Sequence, residues 1–467
     1  MATLINQHPK YNVLPVGQDV IFAVSNTSVV SSFTNVKFVA EVHISPDFAP
    51  NPSTTTDIVG TFKTTPNNAG VGMFNFRPII ESFVNADNLA RKGSAYKTVV
   101  NTSDTNVPLH LIDKYSGNIN SMRYLAIRFK IEYIDSAGDL ITTGIEDSDL
   151  YEIFNGYLKY TDILDLVAND FGYDLTDFEI GTNQKKFLTN APIIQYANGG
   201  DYGTLSFFIL SSTMADDAYT VKFKYYNSSG VFQGTENVNR TTLNGAYDGY
   251  NGYIGMELLY FGCFPANLRN WASTFKTLYN AGTLDGGYYT IQLLSNAGFE
   301  DPTTQTYTIN INCPTLKGYE PIRLCWLNQW GVWDYYTFTM KSSKTISTKG
   351  STYQQLAGSW NESAYRIDSF KGGKKAFRVN ATEKISMNTD FVNESESEWF
   401  EELINSPEVY ILKGYDNVVE TNSALNQYVT PVRLTTSSYT KKTVANDRLM
   451  QYTFEVEKSK TLRTQAV

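Results

Sequence analysis

Arg323-Leu-Cys-Trp-Leu-Asn-Gln-Trp-Gly-Val-Trp-Asp-Tyr-Tyr-Thr-Phe-Thr-Met340 alternates twice around a single glycine. Leu324 and Trp326 alternate with Cys325 and Leu327. Beyond Gly331, Trp333, Tyr335 and Thr337 alternate with Asp334, Tyr336 and Phe338. Period-two patterning in aromatic and β-branched residues about a glycine break predicts a β-hairpin. Three of the chain's six Trp lie in it, and each indole can bury about 150–250 Å². Two readings follow: a core hairpin, or an exposed aromatic platform carried by Trp330 and Trp333.

Outward from this hairpin the pattern stays β. Upstream, Phe38, Ala40, Val42 and Ile44 share one face, with Lys37, Glu41 and His43 on the other. Ile127, Phe129, Ile131 and Tyr133 alternate in the same way with Arg128, Lys130 and Glu132. With Val20–Val24, Ile58–Lys63 and Met73–Arg77, these strands predict a β-sandwich over residues 1–158. A second sandwich, over 159–340, takes in Leu205–Leu210, Tyr219–Tyr225, Ile254–Phe261, Tyr288–Leu294 and Thr306–Asn312, and the aromatic hairpin is expected to close it. Ile131–Gly138 aligns without a gap on Phe223–Gly230. Either a duplicated domain or a shared turn chemistry accounts for that echo.

Past Lys341 the composition turns to Ser, Thr and Lys, which marks a third domain, 341–467. Its one helix is expected to begin near Asn393, with Ser395 and Glu398 as a capping box and Trp399, Phe400, Leu403 and Ile404 as the apolar stripe. The strands Glu408–Lys413, Val429–Thr435 and Arg448–Glu457 follow. The expected fold class is therefore mainly β: two Ig-like β-sandwich domains, then an α+β domain with one helix on an antiparallel sheet.

The 467 residues carry 38 Lys and Arg against 47 Asp and Glu, a net charge of −9. That balance argues against a nucleic-acid reader working through a broad basic face, since neutralising phosphates takes clustered cations. It suits a surface past which DNA slides without sticking. Cys263, Cys313 and Cys325 have no paired spacing, so neither a disulfide framework nor a zinc site is expected and synthesis in a reducing cytosol fits. Neither a leader peptide nor a stretch of transmembrane length is evident.

Catalytic signals are sparse. The histidines, His8, His43 and His110, match no ligand or triad spacing, and His43 is expected to point outward from its strand. Asp147 with Asp149, and Glu396 with Glu398, are formal carboxylate pairs, but the first lies in a predicted loop and the second in a helix's first turn. No cofactor or metal is expected. The Gly/Tyr-rich segment Asn244–Tyr253 has the composition of an adaptable contact loop. Tyr247, Tyr250 and Tyr253, with Trp330 and Trp333, are the candidate contacts for a subunit or a ligand.

Several stretches resemble tail and connector-region structural proteins of the short-tailed, crAss-like bacteriophages that infect Bacteroidetes, and their marine relatives. They are Pro15–Val24 with Asn35–Val42, Phe154-Asn-Gly156, Phe187-Leu-Thr-Asn190, Phe264-Pro-Ala-Asn-Leu268, the Trp-Leu-Asn-x-x-Gly-x-Trp-Asp-Tyr hairpin, and Asn388–Leu403 with Leu449–Glu455. They span the chain in the same order. The resemblance implies a non-enzymatic virion component, assembled in the host cytoplasm as a homo-oligomeric ring on the portal axis, with twelvefold order favoured. Its implied partners are the portal, the neighbouring tail rings and, passively, the packaged DNA. The alternative from another class is a carbohydrate-binding adhesin of the virion, stacking sugars on Trp330, Trp333 and the Tyr-rich loop. A glycan-cleaving tail enzyme is the third.

Overall fold

The alternating segments form strands that pair over long separations in sequence. The structure is a computed structural model describing residues 3–46, 52, 57–91, 107–159, 175, 178, 186–210, 219–239, 256–295, 304–312, 318–359, 363–414, 428–438, 440 and 450–466. It is mainly β, with several antiparallel sheets and five α-helices among the described residues. None of those helices is long and apolar enough to cross a membrane.

Two compact units divide the chain. The first takes residues 1–314, 327–334 and 414–426, and the second takes 315–326, 335–413 and 427–467. The boundary expected at residue 158 falls within the first of these units. Tyr115–Gly117 pairs antiparallel with Leu259–Phe261, so the first two expected domains share one sheet.

In the first unit, Leu4–Gln7, Ile21–Ser25 and Val71–Asn75 make a three-stranded sheet. Thr34–Ser45, Met122–Ile134, Ile58–Thr64, Tyr151–Phe154, Val13–Pro15 and Leu140–Asp147 make a six-stranded one, parallel at Val13–Pro15 against Tyr151–Phe154. Phe22 and Phe74 from the smaller sheet meet Phe38, Ile127 and Phe129 from the larger in one core. A five-stranded sheet, in the order Ile194–Ala197, Tyr307–Ile311, Tyr288–Ser295, Tyr219–Tyr226, Phe232–Asn239, completes the major sheets of this unit. Two helices that the sequence pattern did not announce, Pro265–Trp271 and Ser273–Asn280, lie beside it, and the Phe275 ring meets Tyr225 and Tyr289 at 5.6 Å.

The second unit is built on one sheet in the order Trp333–Phe338, Ile322–Leu327, Val409–Leu412, Val429–Leu434, Thr453–Lys458, Gly373–Asn388, Ser342–Gln355, with Arg463–Ala466 added to Gly373–Asn388. The aromatic hairpin therefore forms an edge of this sheet and does not close the one before it. Helix Glu394–Asn405 covers the sheet, setting Trp399 4.8 Å from Trp326 and Phe400 5.5 Å from Phe454. Its capping box is Asn393 with Glu396, two residues earlier than expected. The Asn393 side chain reaches the Glu396 N–H, and the Glu396 carboxylate returns to the Asn393 N–H, satisfying two otherwise orphaned donors.

One turn recurs four times, closing three hairpins and, at Asn67–Gly70, carrying the chain from the six-stranded sheet to the three-stranded one. In Asn67–Gly70, Asp135–Gly138, Asn227–Gly230 and Asn328–Gly331, the first side chain's Oδ1 accepts N–H bonds from two and four residues on. The fourth residue of each is glycine in the left-handed region, with φ between 72° and 90°. Two of these turns, Asp135–Gly138 and Asn227–Gly230, are the turns of the Ile131/Phe223 echo, in which a short polar side chain and a glycine specify the reversal.

Candidate functional site

The expected contact residues are placed unevenly. Tyr247, Tyr250 and Tyr253 lie outside the described residues. Trp330 and Trp333 are 1% and 2% exposed, which corrects the exposed-platform reading: neither indole has a face for a sugar or a partner. Both sit in the hairpin tip, residues 327–334, which belongs to the first unit. Trp330 lies 4.1 Å from Phe178 with the rings tilted by 42°, and Trp333 lies 4.9 Å from His110, edge to face.

Polar groups around the tip are anchored, although Trp330 Nε1 itself is buried without a hydrogen-bond partner among the described residues. Trp333 Nε1 donates to Asp87 O at 2.7 Å, Asn328 Nδ2 to Leu188 O at 3.0 Å, Thr189 Oγ1 to Asp334 Oδ1 at 2.6 Å, and Tyr157 N to Gln329 O at 2.7 Å. The Asp87 side chain accepts from the N–H groups of Ile119 and Asn120 and from the hydroxyls of Ser121 and Tyr260. Burial raises its pKa above the ordinary carboxylate value, and these four bonds pull in the opposite direction. A carboxylate so completely occupied is a strut.

The other candidates for chemistry are dispersed. His43 is fully buried, correcting its outward assignment, because its strand is covered on both faces from Val42 to Ser45. His8 is within 3.2 Å of the Tyr151 hydroxyl, whereas His110 is buried beside Trp333. Asp147 is clamped by Arg128 through two bonds of 2.7 and 2.9 Å, and Glu396 is the helix cap already described. Burial drives the Cys325 thiol far up, away from nucleophilic thiolate. Among the described residues no three His, Cys, Asp or Glu converge on a metal-sized site.

What stands open is a long ribbon. Ser342–Gln355 pairs with Gly373–Asn388 through fourteen residue pairs. At about 3.4 Å per residue the shorter strand extends roughly 48 Å. Arg463–Ala466 joins it only at Arg378–Ala381 and Thr453–Lys458 only at Lys384–Asn388, so the distal part is paired by the ribbon alone. A small cap closes the end, where Ser359 N bonds to Arg366 O, Asp368 N to Ala357 O and Lys371 N to Asp368 O. Yet Tyr353, Leu356, Tyr365, Ile367, Phe370 and Phe377 are all exposed there, Phe370 to 72% and Phe377 to 55%.

A tip with this many exposed apolar side chains is the candidate contact surface among the described residues. The strand Ser-Ser-Lys-Thr-Ile-Ser-Thr-Lys-Gly that carries it has no apolar alternation, and sequence reasoning took it as a domain boundary. The available signal was the aromatic residues beyond it, on either side of Gly372-Gly373, with no matching polar face.

No protein family matches the sequence, and no curated relative does. Among solved structures, the native conformation of E. coli alpha-2-macroglobulin aligns with 85% of this chain at 8% identity and a TM-score of 0.17. The chain spans only 22% of that protein's length, and a likeness at that score carries no argument.

Proposed function

We propose that this chain is a non-enzymatic structural component of a bacteriophage virion, a ring-forming tail or connector protein that encloses the DNA path. On this reading the first unit supplies Ig-like sandwiches and the second an α+β domain. The observation that carries the proposal is the ribbon Ser342–Asn388: a built, exposed, aromatic-tipped arm in a chain whose candidate catalytic side chains are dispersed. The resemblance to crAss-like tail and connector proteins supports it from the sequence side, and the net charge of −9 suits a wall that DNA passes. Portal and neighbouring rings are its partners, with twelvefold order following the resemblance. The adhesin alternative loses support, because burial removes Trp330 and Trp333 from its sugar platform.

Negative-stain imaging and native mass spectrometry of the full chain, alone and with portal complex, test the proposal. Closed rings, formed spontaneously or nucleated by the portal, are expected. A monomer or trimer indifferent to the portal overturns it.

A further inference from the structure

We propose that the ribbon is a clasp whose distal end grips the acidic edge strand Leu140–Asp147 of a second copy of this chain. The inference deepens the ring proposal and rests on it in one respect, that repetition of the contact closes the ring.

Charge separates the two surfaces. Residues 341–388 hold nine Lys and Arg against three Asp and Glu, in a chain whose total is 38 against 47. The rest of the molecule therefore carries 29 basic and 44 acidic residues. Asp135–Glu152 is the matching extreme, with six acidic residues and no Lys or Arg. Lys349, Lys374 and Lys375 make no ion pair among the described residues and stand near the aromatic tip.

The acidic segment has the geometry of a receptor. Leu140–Asp147 pairs only with Met122–Ile134 and lies at an edge, where Gly144 O accepts one further bond from Thr3 N. A register shift opposite Phe129–Ile131, with Gly144 at φ 68°, turns Leu140 and Ile145 to the same outward face. There they are 67% and 54% exposed. The patch is thus apolar, with Asp147 beside it already paired by Arg128 and with Asp139 and Asp149 in no ion pair among the described residues, and the arm is apolar with a basic surround. Phe370 and Phe377 suit the first pair of properties, and Lys374 and Lys375 suit the second.

Because the two patches differ and lie on the same chain, the contact is heterologous. Each copy offers an arm to one neighbour and an edge to the other, the arrangement that closes into a ring when the rotation permits. Duplex DNA is the less favoured occupant. A phosphate backbone gives Phe370, Phe377, Tyr365 and Ile367 no apolar surface, and DNA leaves Leu140 and Ile145 unexplained.

Charge exchange tests the clasp directly. Lys374→Glu with Lys375→Glu, or Asp139→Lys with Asp149→Lys, is expected to reduce the assembled fraction about tenfold near physiological salt. All four changes in one chain should restore most of it. Independently, Phe377→Cys and Ile145→Cys chains, mixed in the full-length protein, should form a disulfide-linked heterodimer that neither variant forms alone.

Unchanged assembly of either charge pair, with no cross-link, overturns the clasp and leaves the ring standing. A cross-link in protein that never closes rings keeps the clasp and sinks the ring. Retained assembly with loss of binding to a duplex DNA probe overturns the clasp in favour of a nucleic-acid contact.

Discussion

Leu327–Asp334 and Ser342–Asn388 are successive hairpin features, both rich in aromatic rings, with opposite fates. At the first, Trp330 and Trp333 are sealed and the polar atoms between them are tied to Asp87, Thr189, Leu188 and Tyr157. At the second, Phe370 and Phe377 face solvent from a ladder that satisfies its own backbone. Aromatic content thus does not decide burial. In the tip, most of the polar groups that come along find neighbouring backbone and side-chain partners, Trp330 Nε1 excepted. A surface that leaves its rings bare on a paired backbone is where the proposed contact is sought.

The largest expected effects lie in the tip. Gly331 has φ 72°, and a Cβ there would fall 2.0 Å from Asn155 O. Gly331→Ala should cost about 4 kcal/mol or more in denaturant unfolding, from left-handed strain plus a backbone clash that no rotamer relieves. Trp330→Ala should cost about 3–5 kcal/mol through the cavity it leaves. A loss below about 1 kcal/mol for either would mean that the tip is not sealed as described.

Asp87 comes next. Asp87→Ala strands the Ile119 and Asn120 N–H groups and should cost about 1–3 kcal/mol. Its raised pKa also fixes a sign. The folded state holds the proton to higher pH than the unfolded state does, so this group's contribution is greatest below the ordinary value of 3.8. Stability is lost as pH rises from there through the folded pKa. Asp87→Asn, whose amide the Ser121 and Tyr260 hydroxyls can rotate to meet, should flatten that part of the stability–pH curve. Unfolding midpoints followed from about pH 3 to neutrality read it out, and a curve parallel to the parent's would refute the assignment.

These residues also mark what sequence could reveal. Alternation identified Met122–Ile134 and Thr34–Ser45, because each buries one set of positions in a shared core. It could not name a strand's neighbour, since period two specifies a face and not a partner. Hence the pairing of Tyr115–Gly117 with Leu259–Phe261 was invisible. His43 misled because its strand is covered on both sides near its end. Pro265–Trp271 and Ser273–Asn280 are too short for their periodicity to stand out, although Pro265 occupies a first-turn position that proline favours. The arm was missed for a different reason. Its first strand is exposed along nearly its whole length and the second alternates only from Ala381 on, so the distal ladder leaves no side-chain pattern.

The smallest effects should come from the arm, where they are the most informative. Gly373 shares Gly331's left-handed backbone, φ 76°, but nothing lies within 4 Å of where its Cβ would stand. Gly373→Ala should therefore cost only about 1–2 kcal/mol, the strain without the clash, and the difference from Gly331→Ala isolates the sealed environment of the tip. Phe370→Ser and Phe377→Ser should change the isolated chain's stability by no more than about 0.5 kcal/mol, because rings already in water lose little on truncation. If either instead costs as much as Trp330→Ala, the arm's rings are covered within the single chain, and no neighbour is needed to explain them.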